Sequence, residues 1–103
     1  MLILFSDKEL AEACMNPQAG QRRWGKSVYT KIVKRLSEFG AAESLRDIAT
    51  IKGARLEKLL GKRTGTMSVR VDDSMRIVFR TRPMPAPEKG EEILILEVID
   101  YHE

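Results

Sequence analysis

The sequence predicts an α+β fold: an antiparallel β-sheet of about four strands with an N-terminal helical hairpin packed on one face. Three observations predict it. Apolar residues recur at three- and four-residue steps between Trp24 and Phe39, two short stretches within 66–80 alternate apolar with polar residues, and a near-continuous apolar run occupies 93–101. The first pattern has the period of a helix face, the second that of a strand covered on one side. A chain of 103 residues that is 43% hydrophobic and 32% charged can bury one modest core, so a single domain over 1–103 is expected.

Taken in order, Met1–Phe5 (MLILF) reads as a first strand. It is too short for a signal peptide and lacks a basic lead. No apolar run approaches the roughly 20 residues of a membrane span. Ser6, with Glu9 three residues on, has the capping-box pattern, which starts a short helix reaching about Met15. Asn16-Pro17 ends that helix and can start the next. Trp24, Val28, Ile32, Leu36 and Phe39, widened by Tyr29 and Val33, form one face of an amphipathic helix that stops at Gly40. Lys26, Lys31, Lys34 and Arg35 fall on its opposite side. In 41–61, Leu45, Ile48, Ile51, Leu56, Leu59 and Leu60 are expected core anchors, with helical turns near 44–48 and 55–60.

Met67, Val69 and Val71 alternate with Ser68, Arg70 and Asp72; Met75, Ile77 and Phe79 alternate with Arg76, Val78 and Arg80. Both segments are strands, joined by a turn at Asp72, Asp73 and Ser74. Placing both apolar sets on one face, with a three-residue loop, fixes the register: Val71 opposite Met75, Val69 opposite Ile77, Met67 opposite Phe79. It also sets Arg70 opposite Arg76. Like charges facing each other destabilise a sheet by a few tenths of a kcal/mol or more. Either a shared anion or nearby acids such as Glu97 must offset them. Residues 81–92, with three prolines and a glycine, are expected to form a long loop. The run 93–101 is expected to return antiparallel to 75–80, covered on both faces. Its end, Asp100, Tyr101 and His102, then lies beside the two arginines, either as part of a site or as a solvated tail.

Charge is unevenly spread. Residues 1–50 carry +2, 51–82 carry +6 and 83–103 carry −5, within a total of +3. The basic block is either a phosphate-facing surface or a solvated face beside an acidic neighbour. The single Cys14 cannot form an internal disulfide, which fits a reduced, cytoplasmic setting, and reads as a small buried hydrophobe. With one Cys and one His there is no zinc-like ligand cluster, and no cofactor is expected. An arginine pair, a Tyr, a His and a basic loop bearing Lys58, Lys62 and Arg63 suit metal-free RNA cleavage. A base takes the 2′-hydroxyl proton, guanidinium groups stabilise the phosphorane, and an acid protonates the leaving oxygen. His102 could be acid or base, Tyr101 could stack on a base, bind a phosphate or cap the core, and spacing does not assign these roles.

At this point LEKLLGKRTGTMSVRVDDSMRIVFR, followed by EVIDYH, resembles the HigB-like, plasmid-maintenance killer branch of the RelE/ParE toxin superfamily. That family has the pattern L-[HE]-x-L-K-G-x-R-x-G-x-[WH]-S-[IV]-R-[IV]-x-x-x-[WY]-R-[IL]-x-F and a D-Y-H ending. The resemblance implies a RelE-like fold and a toxin that cuts mRNA in the ribosomal A site without a metal. It also implies a cognate helix-turn-helix antitoxin that neutralises it and, by binding operator DNA, represses the shared operon. The family's functional positions carry over to Arg70, Arg76, Asp100, Tyr101 and His102. Glu57 stands where some members carry a catalytic His and others an acid; with Lys58, Lys62, Arg63 and Arg80 as phosphate-binding candidates, it completes the expected site. Leu60 replaces a usual Lys, and Met67 and Met75 replace aromatic or His positions, which points to weaker activity or a different substrate preference. A gyrase inhibitor of the ParE kind, or a catalytically weakened RNA-binding homologue, would share the fold, since fold does not specify function.

Overall fold

The computed structural model describes residues 1–86 and 90–100. In chain order the elements are β1 (Leu2–Phe5), α1 (Lys8–Met15), α2 (Pro17–Trp24), α3 (Lys26–Ala41), α4 (Leu45–Ala49), β2 (Glu57–Lys58), β3 (Met67–Arg70), β4 (Met75–Pro83) and β5 (Glu91–Asp100); a 3-10 turn at Gly61–Arg63 links β2 to β3. The strands form a five-stranded sheet in the order β1-β5-β4-β3-β2. β1 runs parallel to β5, and the other neighbours are antiparallel.

The expected register of the β3–β4 hairpin is the observed one: Met67, Val69 and Arg70 lie opposite Phe79, Ile77 and Arg76. Asp72 closes the turn, its Oδ1 accepting from the Ser74 N–H at 2.9 Å and the Met75 N–H at 2.7 Å. Alternation sends Met67, Val69, Ile77 and Phe79 into the core with Leu10, Cys14, Ile32 and Phe39 from the helices. The Phe39 and Phe79 rings meet at 5.0 Å between centroids. On β5 the pairing shifts between Val78 and Phe79, which leaves Leu96 as the extra residue of a β-bulge. The bulge reverses the alternation, so Ile93, Ile95 and, beyond it, Val98 all enter the core.

Between residues 8 and 41 the chain forms three helices where a hairpin was expected over 7–39. Gly25, at φ 84°, breaks the chain between α2 and α3, a backbone conformation that glycine adopts without a Cβ penalty. Gly20 allows α2 to close on its neighbours: a Cβ there would lie 2.2 Å from the Tyr29 ring and 2.4 Å from the Ala13 carbonyl oxygen. Asp7, not Ser6, caps α1, accepting from the Leu10 N–H at 2.8 Å. The Ser6 N–H still continues the β1–β5 ladder by donating to Ile95 O, so the helix begins one residue later than the capping-box reading.

Other expectations are corrected too. The turn of helix near 55–60 is absent: Glu57 and Lys58 pair with Ser68 and Met67 as an edge strand. Leu60 is 84% exposed and anchors no core, and Val33 is exposed as well. β4 continues to Pro83 and β5 begins at Glu91, paired with it, so the connection is shorter than 81–92. β5 is flanked by β1 and β4, which accounts for its apolar run, but Leu94, Leu96 and Ile99 are only partly covered on or near its outer face.

Candidate active site

The site is built on the sheet face away from the helices. Alternation places Arg70 and Ser68 of β3, Arg76, Val78 and Arg80 of β4, and Glu97 and Ile99 of β5 on that face. Ser68 pairs on one side with Val78 and on the other with Glu57 of β2. A row therefore crosses four strands: Glu57, Ser68, Val78, Glu97. Ser68 and Val78 are buried although they point away from the helical layer.

Arg76 is the centre of this arrangement. Its Nη1 donates to Ser68 Oγ at 3.1 Å and lies 3.5 Å from Glu57 Oε2. A guanidinium, a carboxylate and a hydroxyl thus meet on one surface. Arg63, at the end of the 3-10 turn, reaches over the sheet and bonds Glu97 at 2.8 Å. These two bridges flank Val78.

Arg70 and Arg76 are register partners, as expected, yet their heads diverge. Arg70 Nε donates to the Asp72 carbonyl at 2.9 Å and its Nη2 pairs with Asp73 at the hairpin tip. The two guanidinium groups therefore do not converge on one anion position in this conformation; each has an acidic partner, but neither partner is Glu97, which holds Arg63. The Arg70 backbone is pinned at both polar groups. Its N–H donates to Ala54 O at 2.6 Å, and its carbonyl accepts from Arg35 Nε at 2.7 Å.

Arg35 is a residue the sequence pattern misplaced. It falls on the basic side of the α3 stripe, yet it is 8% exposed. Its Nη1 is neutralised by Glu38 at 2.7 Å. Ser68 was also missed; the only signal available was its position in the alternation, directly across from Glu57 once β2 is recognised.

Asp100 lies opposite Met75, one step from the Arg76–Ile99 pair. That places it at the expected end of the sheet, but alternation sets it on the helix side. Lys58 and Lys62 are exposed at the β2 edge and in the 3-10 turn, and Arg80 is exposed opposite Leu94. Tyr101 and His102 lie outside the described residues.

A five-stranded sheet with helices on one face and arginines on the other is the architecture expected of a RelE-like toxin. A family model for the RelE-like toxin of the type II toxin-antitoxin system HigB matches residues 5–102, and the chain belongs to that family. Solved structures share its fold. The YoeB/ParE toxin from Agrobacterium tumefaciens is 14% identical, with 100% of both chains covered and a TM-score of 0.64. The YoeB dimer from Staphylococcus aureus is 21% identical, covering 100% of this chain and 98% of that one, with a TM-score of 0.62. The YoeB-YefM complex from Staphylococcus aureus is also 21% identical, over 100% and 99%, with a TM-score of 0.60. No curated protein matches the chain. Among the described residues, no helix is long and apolar enough to cross a membrane.

Proposed function

We propose that this type II toxin is a ribosome-dependent endonuclease that cuts mRNA without a metal, acting as one domain over 1–103 and restrained by a cognate antitoxin. The observation that carries the reading is the Arg76 guanidinium held 3.5 Å from the Glu57 carboxylate, on a sheet face that also carries Arg70 and Arg80. RNA carries its own nucleophile, the 2′-hydroxyl. Cleavage needs a proton acceptor, a cation for the phosphorane and a proton donor. Glu57, half exposed on its edge strand, is assigned the proton acceptor's role. Arg76 supplies fixed positive charge where negative charge develops, and its planar fork suits two phosphate oxygens. Arg70 joins it when a phosphate draws its head from Asp73. His102 is assigned the leaving-group proton and Tyr101 a stacking or phosphate contact, with Asp100 beside them. Lys58, Lys62, Arg63 and Arg80 line the path of the flanking strand. The YoeB-YefM complex of Staphylococcus aureus supports the antitoxin assignment by analogy.

The test is induced expression with mapping of transcript ends. Wild-type protein should halt translation and leave cut mRNA. Arg76→Ala should lower cleavage about 100-fold or more, the usual cost of removing a donor to a developing oxyanion, with the melting temperature little changed. DNA damage with intact transcripts would instead favour gyrase inhibition.

A further inference from the structure

Ser68 lies on the outer face of the sheet, yet it is 0% exposed. Its cross-strand neighbours on that face are Val78 of β4 and Glu57 of β2. A strand position buried this completely favours Val or Ile, which pack well on a pleated surface. A serine there hides a hydroxyl that costs stability unless it finds a partner. The partner is Arg76, whose Nη1 donates to Ser68 Oγ at 3.1 Å.

The register shows what that bond does. Arg76 stands opposite Arg70, and Ser68 is its diagonal neighbour, two residues back along β3. To reach Glu57 on the edge strand, the Arg76 head has to cross β3, and it crosses at Ser68. A serine is small enough to be crossed; a Val or Leu would lift the head off the sheet. The pair that Arg76 forms on the far side is open. Arg35–Glu38, Arg63–Glu97 and Arg82–Glu92 close to 2.7, 2.8 and 2.6 Å, near the usual ~2.7–2.9 Å of a charge-assisted hydrogen bond. Arg76 Nη1 stops 3.5 Å from Glu57 Oε2. The nitrogen that would close the pair is the one bonded to Ser68.

We propose that Ser68 is a positioning residue for the cleavage reaction: its hydroxyl holds Arg76 Nη1 so that the arginine neither closes on Glu57 nor leaves it. The assignment deepens the nuclease reading and rests on it. When Glu57 takes the 2′-hydroxyl proton, it becomes neutral and its pull on Arg76 falls. The serine hydroxyl carries no charge to lose, so its bond to Nη1 persists while negative charge builds on the phosphorane. The guanidinium is then already in place at that moment and needs no reorganisation.

Two variants test this. Ser68→Ala removes the acceptor, and Ser68→Cys keeps the volume but offers only a weak one. Circular dichroism should be unchanged in both, and the cysteine variant carries the test if the alanine variant does not fold. On mRNA-programmed ribosomes both should lower kcat about 10- to 100-fold, the scale of a misplacement of about 1 Å. KM should stay within about twofold, because the bond acts on developing charge rather than on ground-state binding. A cysteine variant with wild-type kcat would overturn the proposal, since packing alone would then account for the serine; so would a loss confined to KM. A second readout needs no activity. Without the serine hydroxyl the Arg76–Glu57 pair should close, so Glu57→Gln should lower the urea midpoint more in the Ser68→Cys background than in the wild-type one. Equal shifts would show that Ser68 does not hold the pair open, and would overturn the proposal. If the wild type cuts no RNA, the nuclease reading fails and Ser68's part in cleavage with it, while the urea comparison still decides what holds Arg76.

Discussion

At the residue scale, Asp72 shows how a turn side chain sets both geometry and pH response. Its carboxyl is held below its ordinary value near 3.8, first by the Met75 N–H, with the Ser74 N–H and the charge of Lys31 adding and burial opposing. A carboxyl depressed in the folded state contributes stability that is present above the unfolded value and lost as pH falls through the folded one. The hairpin should therefore weaken below about pH 4. Asp72→Asn keeps an oxygen that can accept both N–H groups but cannot titrate. Urea unfolding should show a smaller loss of stability between neutral and acidic pH in that variant than in wild type; an equal loss would remove Asp72 as the cause. Cys14 behaves as the small buried hydrophobe its place on α1 predicts. It is 2% exposed, and burial pushes its thiol up to about 11 against the opposing charge of Arg23.

At the scale of elements, legibility followed pattern strength. The β3–β4 hairpin was readable to the residue because two alternating runs and a turn of known length leave one register that buries both apolar sets. The pairing of Arg70 with Arg76 came with it. What the pattern could not carry was anything shorter than its period or decided by a distant partner. β2 is two residues long and has no alternation to detect, so Glu57 was placed on a helix. The bulge at Leu96 changes the facing of β5 midway, and only pairing with β4 reveals it. Arg35 reads as part of a solvated stripe because the partner that buries it, the Arg70 carbonyl, lies 35 residues along the chain. Its observed bonds make α3 a brace for the hairpin. Arg35→Met keeps much of the stem but leaves a buried carbonyl and Glu38 without their donor. The expected cost is about 1–3 kcal/mol in chemical denaturation. Cleavage should fall further than the unfolded fraction explains. Combined with Arg70→Ala, the second loss should be absent, since both act through one side chain. Additive losses would make Arg35 merely structural.

At the scale of the whole molecule, the three charge blocks of the sequence become a partition between layers. The acidic C-terminal block does not face solvent alone: Glu97 and Glu92 neutralise Arg63 and Arg82 of the basic middle block. Part of the basic block thus lies beside acidic neighbours on the sheet, while Lys58, Lys62 and Arg80 stay exposed without a salt bridge among the described residues. A phosphate chain entering the site must compete with those carboxylates. Glu97 is the informative one, because its side chain is 41% exposed and it is not assigned a proton-transfer role. Glu97→Gln removes one repulsive charge and releases part of the hold on Arg63. An exposed ion pair is worth about 0–1 kcal/mol, so RNA should bind up to about fivefold more tightly at low salt. The gain should shrink as salt screens the face. Affinity measured across a salt series decides the matter: tighter binding that converges with wild type at high salt shows that the acids restrain substrate entry. Weaker binding at every salt would show that Glu97 orders Arg63 for the RNA, and that the compensation on the sheet is part of the grip rather than an obstacle to it.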